Sequence, residues 1–533
     1  MARVYDNYSS LIDFTRASSG TALRPISYGD ELVSNGTFDS DTSGWTAVDC
    51  TLSISSQELQ ITASQNFGRA NQSFSTVIGK LYSVSGKSTF VSGTNRSYIA
   101  KNDDGASLNA VIAGSGTSDP AGDKSFLFIA TSTTTYISLG VSVNGSVANF
   151  DNVSIREVLF DQPNGTLTLF NHPTNVPRIE YDADGNRLGL LVEESRSNLI
   201  TYSEDFSNVY WTKQSSVDSV EDGNILGPNG LVSGTKVTTN DVAYVSKDSI
   251  YFTQNITVTF SAFLKAGSIT TVGLHYAQDL GDALNDNCDF DLSNGTVSSQ
   301  GSASTAKIEY VGNGWYRCSN TYTTNGTGTA LGVRFVVQGA GTFYVYGAQL
   351  EAGSFPTSYI PTSGSTATRS ADVASIGVSE FGYNQSEGTL FVDFDMKYTE
   401  SGSGFPRVVE IATESNNADR IKVQLTESTG ALNAQAFVNF SVQGSVNLGS
   451  RTGGSLDSTK VAFAFREDDF AASDNGNTAV TDTSGTFAPS VGRDTLAIGK
   501  QTNSSSNFVN GHIKSIKYYP RRLTNAQLEE LTS

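Results

Sequence analysis

Apolar and polar residues alternate with a period of two through most of this chain, and that pattern restricts it to sheets. Thr51-Leu-Ser-Ile-Ser, Phe126-Leu-Phe-Ile-Ala, Ile256-Thr-Val-Thr-Phe-Ser-Ala-Phe and Gly388-Thr-Leu-Phe-Val-Asp-Phe-Asp-Met each send one set of side chains inward and the other toward water. Half-buried antiparallel strands require this arrangement. Asn-Gly and Asp-Gly turn signals separate the runs at Asn35, Asp104, Asn144, Asn164, Asp184, Asp222, Asn229, Asn294, Asn325 and Asn475. One segment has helical character, Thr524-Asn-Ala-Gln-Leu-Glu-Glu-Leu. There Thr524 can cap, Gln527 completes a capping box, and Leu523, Leu528 and Leu531 suit a short helix lying on a sheet. The expected fold class is all-β with a short C-terminal helix.

Two brackets divide the strands into modules. Leu32-Val-Ser-Asn-Gly-Thr-Phe-Asp opens one that Asn149-Phe-Asp-Asn-Val-Ser-Ile-Arg-Glu-Val closes. Asn198-Leu-Ile-Thr-Tyr-Ser-Glu-Asp-Phe opens a second, closed by Phe343-Tyr-Val-Tyr-Gly-Ala-Gln-Leu-Glu-Ala-Gly-Ser-Phe-Pro-Thr-Ser-Tyr-Ile-Pro-Thr. With 533 residues and roughly 100 to 200 residues per domain, about three cores are expected. We expect sandwiches at 32–158, 198–361 and 375–533, with the small, polar segment 362–374 as a linker. Residues 1–31 and 159–197 are each too short to bury a core. They are expected to form one split N-terminal unit into which the first sandwich is inserted.

Composition narrows the function. Charged residues make up 16% and apolar ones 38% of the chain, which excludes a disordered polyampholyte. A net charge of −19, from 34 basic against 53 acidic residues, repels nucleic acid and anionic membranes. No apolar run is long enough to insert in a bilayer, and Met1-Ala-Arg-Val-Tyr-Asp-Asn-Tyr-Ser-Ser contains no signal-peptide core. Synthesis in a cytoplasm is therefore expected, with no secretory export. Cys50, Cys288 and Cys318 read as free thiols, since three cysteines cannot all pair and none has a CxxC spacing.

No catalytic constellation is recognisable. His172, His275 and His512 lie in different predicted units, and no nucleophile elbow, zinc-binding helix or phosphate loop accompanies them. Asp103-Asp104 and Asp468-Asp469 read as solvated turn residues rather than a glycosidase pair. Asp182-Ala-Asp-Gly-Asn-Arg with Glu193 imitates a calcium loop, but Arg187 stands where such a loop needs glycine, so a turn between strands is expected. Trp45, Trp211 and Trp315 are sugar-stacking residues by type, yet each sits in a framework motif and is expected to be buried. The carbohydrate-contacting residues are not selected by the sequence. The expectation is a protein that is not an enzyme and requires no cofactor.

Asp13-Phe-Thr-Arg-Ala-Ser-Ser-Gly-Thr, Asn175-Val-Pro-Arg-Ile-Glu-Tyr-Asp, Gly189-Leu-Leu-Val-Glu-Glu-Ser-Arg-Ser-Asn-Leu and Tyr346-Gly-Ala-Gln-Leu-Glu-Ala-Gly together resemble a family of tailed-bacteriophage virion proteins, the tail fibres, head fibres and head spikes. The 32–158 module is similar to carbohydrate-binding jelly rolls, the 198–361 module reads as a second jelly roll, and 375–533 resembles a concanavalin A-like laminin-G domain. The resemblance implies a particle-exposed protein anchored through the split N-terminal unit, a trimer, with portal, neck, capsid or tail proteins and host-surface glycans as partners. A head or neck decoration with no receptor role and a glycan-cleaving depolymerase are the alternatives. In similar jelly rolls a structural calcium ion lies between opening and closing strands, which implies Asp39 and Asp151 as ligands here.

Overall fold

The computed structural model describes residues 12–93, 97–102, 112–113, 122–251, 255–278, 287–324, 330–398, 403–415, 417–488, 492–504 and 506–533. The turns expected at Asp104 and Asn325, the acidic pair Asp103-Asp104 and the segment Met1 to Ser10 lie outside the described residues. The fold is all-β as expected, with 59% strand and 3% helix. No described helix is long and apolar enough to cross a membrane. The chain divides into two units, one holding Pro25–Thr168 and Glu221–Lys236, the other the described residues up to Arg24, Leu169–Val220 and Val237–Ser533.

The smaller unit contains the first sandwich. One sheet orders Thr46–Val48, Arg69–Ser75, Thr134–Val141, Ser97–Asn102 and Ile112–Ala113; the other is built around Gly122–Ile129, Leu81–Ser92 and Val147–Phe160. Leu59, Ile61, Phe150 and Ile155 from one sheet pack with Ile99, Ile137 and Leu139 from the other. The bracket closes as expected, because the Leu32 N–H donates to Ile155 O (3.0 Å) and the Val153 N–H to Gly36 O (2.9 Å). Trp45 is core, with its indole N–H on Asn35 O (3.0 Å) and its ring 5.4 Å from Phe38.

The larger unit holds the other two sandwiches. In the second, Thr257–Ala266, Trp315–Thr323 and Gly341–Ala352 pack across from Val242–Tyr251, Thr271–Gln278 and Ala330–Gln338. Trp211 is buried against Phe206, Tyr210 and Phe335, and Trp315 is fully buried. Cys288 and Cys318 lie on opposite sheets as buried thiols with no disulfide between them, and Cys50 is likewise unbridged. In the third, Glu387–Lys397, Gly511–Tyr519 and Ser455–Arg466 pack against Arg407–Ala412, Arg420–Thr426, Ala431–Val438 and Ser441–Ser450. The helix Asn525–Thr532 has the expected Thr524 and Gln527 capping box. Leu523 and Leu528 seat it on Phe391, Ala462, Ala464 and Ala471, on the face of the sheet turned away from the core.

The strand pairing changes two expectations about domain organisation. The pieces 1–31 and 159–197 meet, the Asn175 N–H donating to Arg16 O (3.0 Å) and the Arg16 N–H to Asn175 Oδ1 (3.0 Å), but they add strands to the third sandwich instead of standing apart from it. Asp13–Thr15 pairs with Val373–Gly377 in one sheet of the third sandwich, while Ile179–Tyr181 and Arg187–Val192 extend the other through Leu190↔Ile513. Ile179, Leu190 and Val192 lie in the third core, so short strands unable to bury an apolar face alone do so on a larger sheet. The segment 362–374 is likewise not a free linker. Ala367–Arg369 pairs with Arg196–Asn198, and Arg369 and Asp372 are buried.

Candidate functional site

The motifs that seemed scattered along the chain converge on one buried ionic knot in the larger unit. Asp372 accepts from Arg16 Nη1 (3.1 Å), from Arg178 Nη2 and from the Glu193 N–H (2.9 Å). Glu193 pairs with Arg178 (2.9 Å) and Arg369 (3.5 Å) and accepts from the Ser358 hydroxyl (2.6 Å) and N–H (2.8 Å). Burial opposes ionisation of Glu193, but Arg369, Arg178 and Ser358 hold its carboxyl well below the usual range. A second set of bonds fixes the closing segment of the second bracket. Glu351 accepts from the Thr357 N–H (2.7 Å), Gln349 from the Ile360 N–H (2.7 Å), and Asn198 Nδ2 donates to Ala348 O and Ile360 O. These residues join the second sandwich to the third; they are framework.

Beside the knot lies a cavity of about 600 Å³. Its floor is the face of the Glu387–Lys397 strand turned away from the third core. Leu390, Val392, Phe394 and Met396 point inward, which leaves Asp393, Asp395 and Lys397 for the cavity. The Ile179 to Val192 hairpin supplies Glu180, Tyr181 and Asp182; the second sandwich supplies Glu309, Tyr310 and Arg317; Asn510, His512 and Lys514 close the wall. His512 is held at both nitrogens, Nδ1 by Asp395 (2.9 Å) and Nε2 by Glu180 (2.8 Å). Burial opposes its charge, but these two carboxylates push its pKa up to about 9. It is a fixed cation, with no ring nitrogen left to move a proton for a substrate. Asp393 differs, since its Oδ1 is buried and accepts no hydrogen bond among the described residues. Asp393 lines the cavity, so a carboxylate oxygen that lacks a donor lies in a side chain that a ligand's hydroxyl or ammonium can approach.

The other residues singled out by sequence have structural roles. His172 is fully buried edge-on to Phe170, and burial with Arg24, Arg178 and Arg16 nearby drives its pKa well below the usual value. His275 bonds Asp289 (2.8 Å) on the second sandwich. Asp182 accepts from the Asp184 and Asn186 N–H groups (3.0 and 2.8 Å), making the expected turn, and Glu193 belongs to the knot rather than to a calcium loop. Asp469 pairs with Arg466 and Arg522. Asp468 accepts the Gly485 N–H (2.9 Å). Sequence reasoning missed Asp393. Its signal was the Asp-x-Asp-x-Lys alternation of that strand, which reads equally well as a solvated face.

The residues implied for calcium already accept hydrogen bonds from their neighbours. Asp39 is exposed and accepts from the Thr37 hydroxyl (2.9 Å), while both Asp151 oxygens accept from Asn152, its N–H (2.8 Å) and its side-chain amide (2.9 Å). Among the described residues no group of three or more His, Cys, Asp or Glu side chains is placed to hold a metal, so an ion here would rest on two carboxylates and backbone oxygens. Asp151 instead steadies Asn152, whose φ is 52°. Treating the protein with EDTA is expected to leave its melting temperature unchanged, as read by calorimetry; a drop of several degrees would restore the calcium assignment.

No family model and no curated protein matches this chain. Among solved structures, the chain is similar to the CBM40 domain of Ruminococcus gnavus IT-sialidase bound to α2,3-sialyllactose, at 13% identity over 28% of this chain and 84% of that one, with a TM-score of 0.24. It is similar to the CBM22 tandem of Paenibacillus barcinonensis Xyn10C at 13% identity, over 61% of this chain and 98% of that one (TM-score 0.21). A third is Trypanosoma rangeli sialidase with the inhibitor DANA, at 11% identity over 95% and 98% of the two chains (TM-score 0.23).

Proposed function

We propose that this protein is a tailed-bacteriophage virion component, a fibre or spike, which docks host-surface glycans in the cavity of its larger unit without cleaving them. The virion assignment is supported by the family resemblance of the motifs that build the knot. The observation that carries glycan docking is the donorless Asp393 Oδ1 on the cavity floor. A sugar hydroxyl supplies the missing donor, and the ring's apolar face can lie on Tyr310, 43% exposed at the rim. The locked His512 favours binding over hydrolysis. Each contact of this kind is weak, and many copies on a particle, assembled as trimers, would supply avidity.

A glycan array probed with the intact chain tests this reading. Retention of a glycan is expected, weakened about tenfold by Asp393→Ala. Silence across the array would favour the decoration role, and release of reducing ends would favour the depolymerase. Immunogold labelling is expected to mark intact particles; unlabelled particles would remove the virion role.

A further inference from the structure

The face of the third sandwich opposite the helix carries a second, differently built depression. On Arg407–Ala412 and Arg420–Thr426, Val409, Ile411, Ile421 and Val423 enter the core, while Arg407, Glu410, Arg420, Lys422 and Gln424 alternate outward. Outward positions of a sandwich are normally solvated, yet Glu410 and Lys422 are only 0% and 4% exposed. The segment after Thr495–Ile498 crosses them, and its Thr502 N–H donates to Glu410 Oε1 (2.9 Å). Arg407, Arg420, Lys422 and Lys500 gather there against Glu410 and Glu414, a local excess of positive charge in a strongly acidic chain. Burial first, then Arg407 and Arg420, bring the Lys422 ammonium down to about 7 against the pull of Glu410.

A cavity of about 360 Å³ opens on this cluster, lined by Arg407, Asn417, Arg420, Phe440, Thr502 and Asn503 among others. Three polar atoms of these lining residues are buried with no hydrogen-bond partner among the described residues: Arg420 Nε, Asn417 Oδ1 and the hydroxyl of Thr502, a residue only 3% exposed. The rest of the Arg420 side chain is fixed, since Nη1 donates to Asn417 O (2.7 Å) and the guanidinium lies 3.7 Å over Phe437. Asp419 accepts the Asn439 N–H (2.9 Å) and so holds the turn that presents Phe440, 61% exposed. Two unmet donors, one unmet acceptor, surplus positive charge and an open aromatic ring define a ligand with complementary parts.

We infer that this depression binds a sugar ring bearing a carboxylate. The carboxylate takes the Arg420 Nε–H and the Thr502 hydroxyl, a neighbouring ring hydroxyl donates to Asn417, and the apolar face of the ring lies on Phe440. This site is separate from the Asp393 cavity and does not depend on it.

Titration calorimetry of the full chain with an oligogalacturonide and with a neutral oligogalactoside of equal length tests the inference. In the Asp393→Ala chain, which lacks the anchor of the other cavity, the acidic oligosaccharide binds and the neutral one does not. Arg420→Lys keeps the charge but removes Nε, and Thr502→Val keeps the shape but removes the hydroxyl; each weakens binding about tenfold. Phe440→Ala, at an exposed position, weakens it severalfold with the fold intact by circular dichroism. Asp393→Ala leaves it unchanged. Absence of binding, equal binding of the neutral sugar, unchanged affinity in Thr502→Val and Phe440→Ala, or loss in Asp393→Ala would each overturn it. Acetate binding as tightly as the oligosaccharide would also overturn it, because the ring would then contribute nothing.

Discussion

Replacing Asp372 with Asn is expected to destabilise the larger unit by about 3–5 kcal/mol, the cost of breaking a buried ion pair from one side. In the intact protein Asp372 is fully buried and faces Arg16, Arg178 and Arg369, with Glu193 as the other carboxylate. Its removal leaves three guanidiniums around a single acid, with nowhere to hydrate. Urea denaturation of the intact and substituted chains, read on the transition of the larger unit, provides the comparison. A loss below about 1 kcal/mol, the range of exposed pairs, would mean that the knot is solvated and its burial misassigned.

The second large effect is a pH dependence centred on His512. Its pKa rises in the folded state from an ordinary 6.5 to about 9. The stabilisation is therefore fully present below pH 6.5, declines as pH rises between 6.5 and 9, and is gone once the folded protein has lost the proton. Its size is on the order of 3 kcal/mol, since each tenfold gain in proton affinity on folding is worth roughly 1.4 kcal/mol. Across that window the midpoint of the native protein should fall relative to that of His512→Gln, since Lys422, lowered to about 7, adds the same opposite slope to both; parallel curves would contradict the assignment. His172 acts in the opposite sense. Its folded pKa is lowered, so its contribution is lost as pH falls below 6.5.

Local signals in the sequence carried the elements, while long-range pairing carried what it did not reveal. Thr524 and Gln527 act within one turn, and Trp45 contacts Asn35 and Phe38 inside its own opening segment, so their roles were readable in place. The partners of Asp13–Thr15 and Arg187–Val192 lie more than 300 residues away, at Val373–Gly377 and Gly511–Tyr519. Period-two alternation states that a strand has two faces but not which strand it joins. The same gap hid the cavity. Asp393 and Asp395 look like water-facing positions until the second sandwich and the Ile179 to Val192 hairpin are placed over them. Arg16, Arg178 and Glu193 sit in motifs distinctive enough to suggest a family, and Asp372 sits in the stretch expected to be a linker, yet their spacing holds no hint that they meet in one buried knot.

Crystals of the intact chain soaked with a glycan retained on the array would test the docking reading most directly. The predicted result is sugar density in the cavity of the larger unit, with a hydroxyl within hydrogen-bonding distance of Asp393 Oδ1 and a ring face against Tyr310. Density confined to other surfaces, with that cavity holding only water, would contradict it.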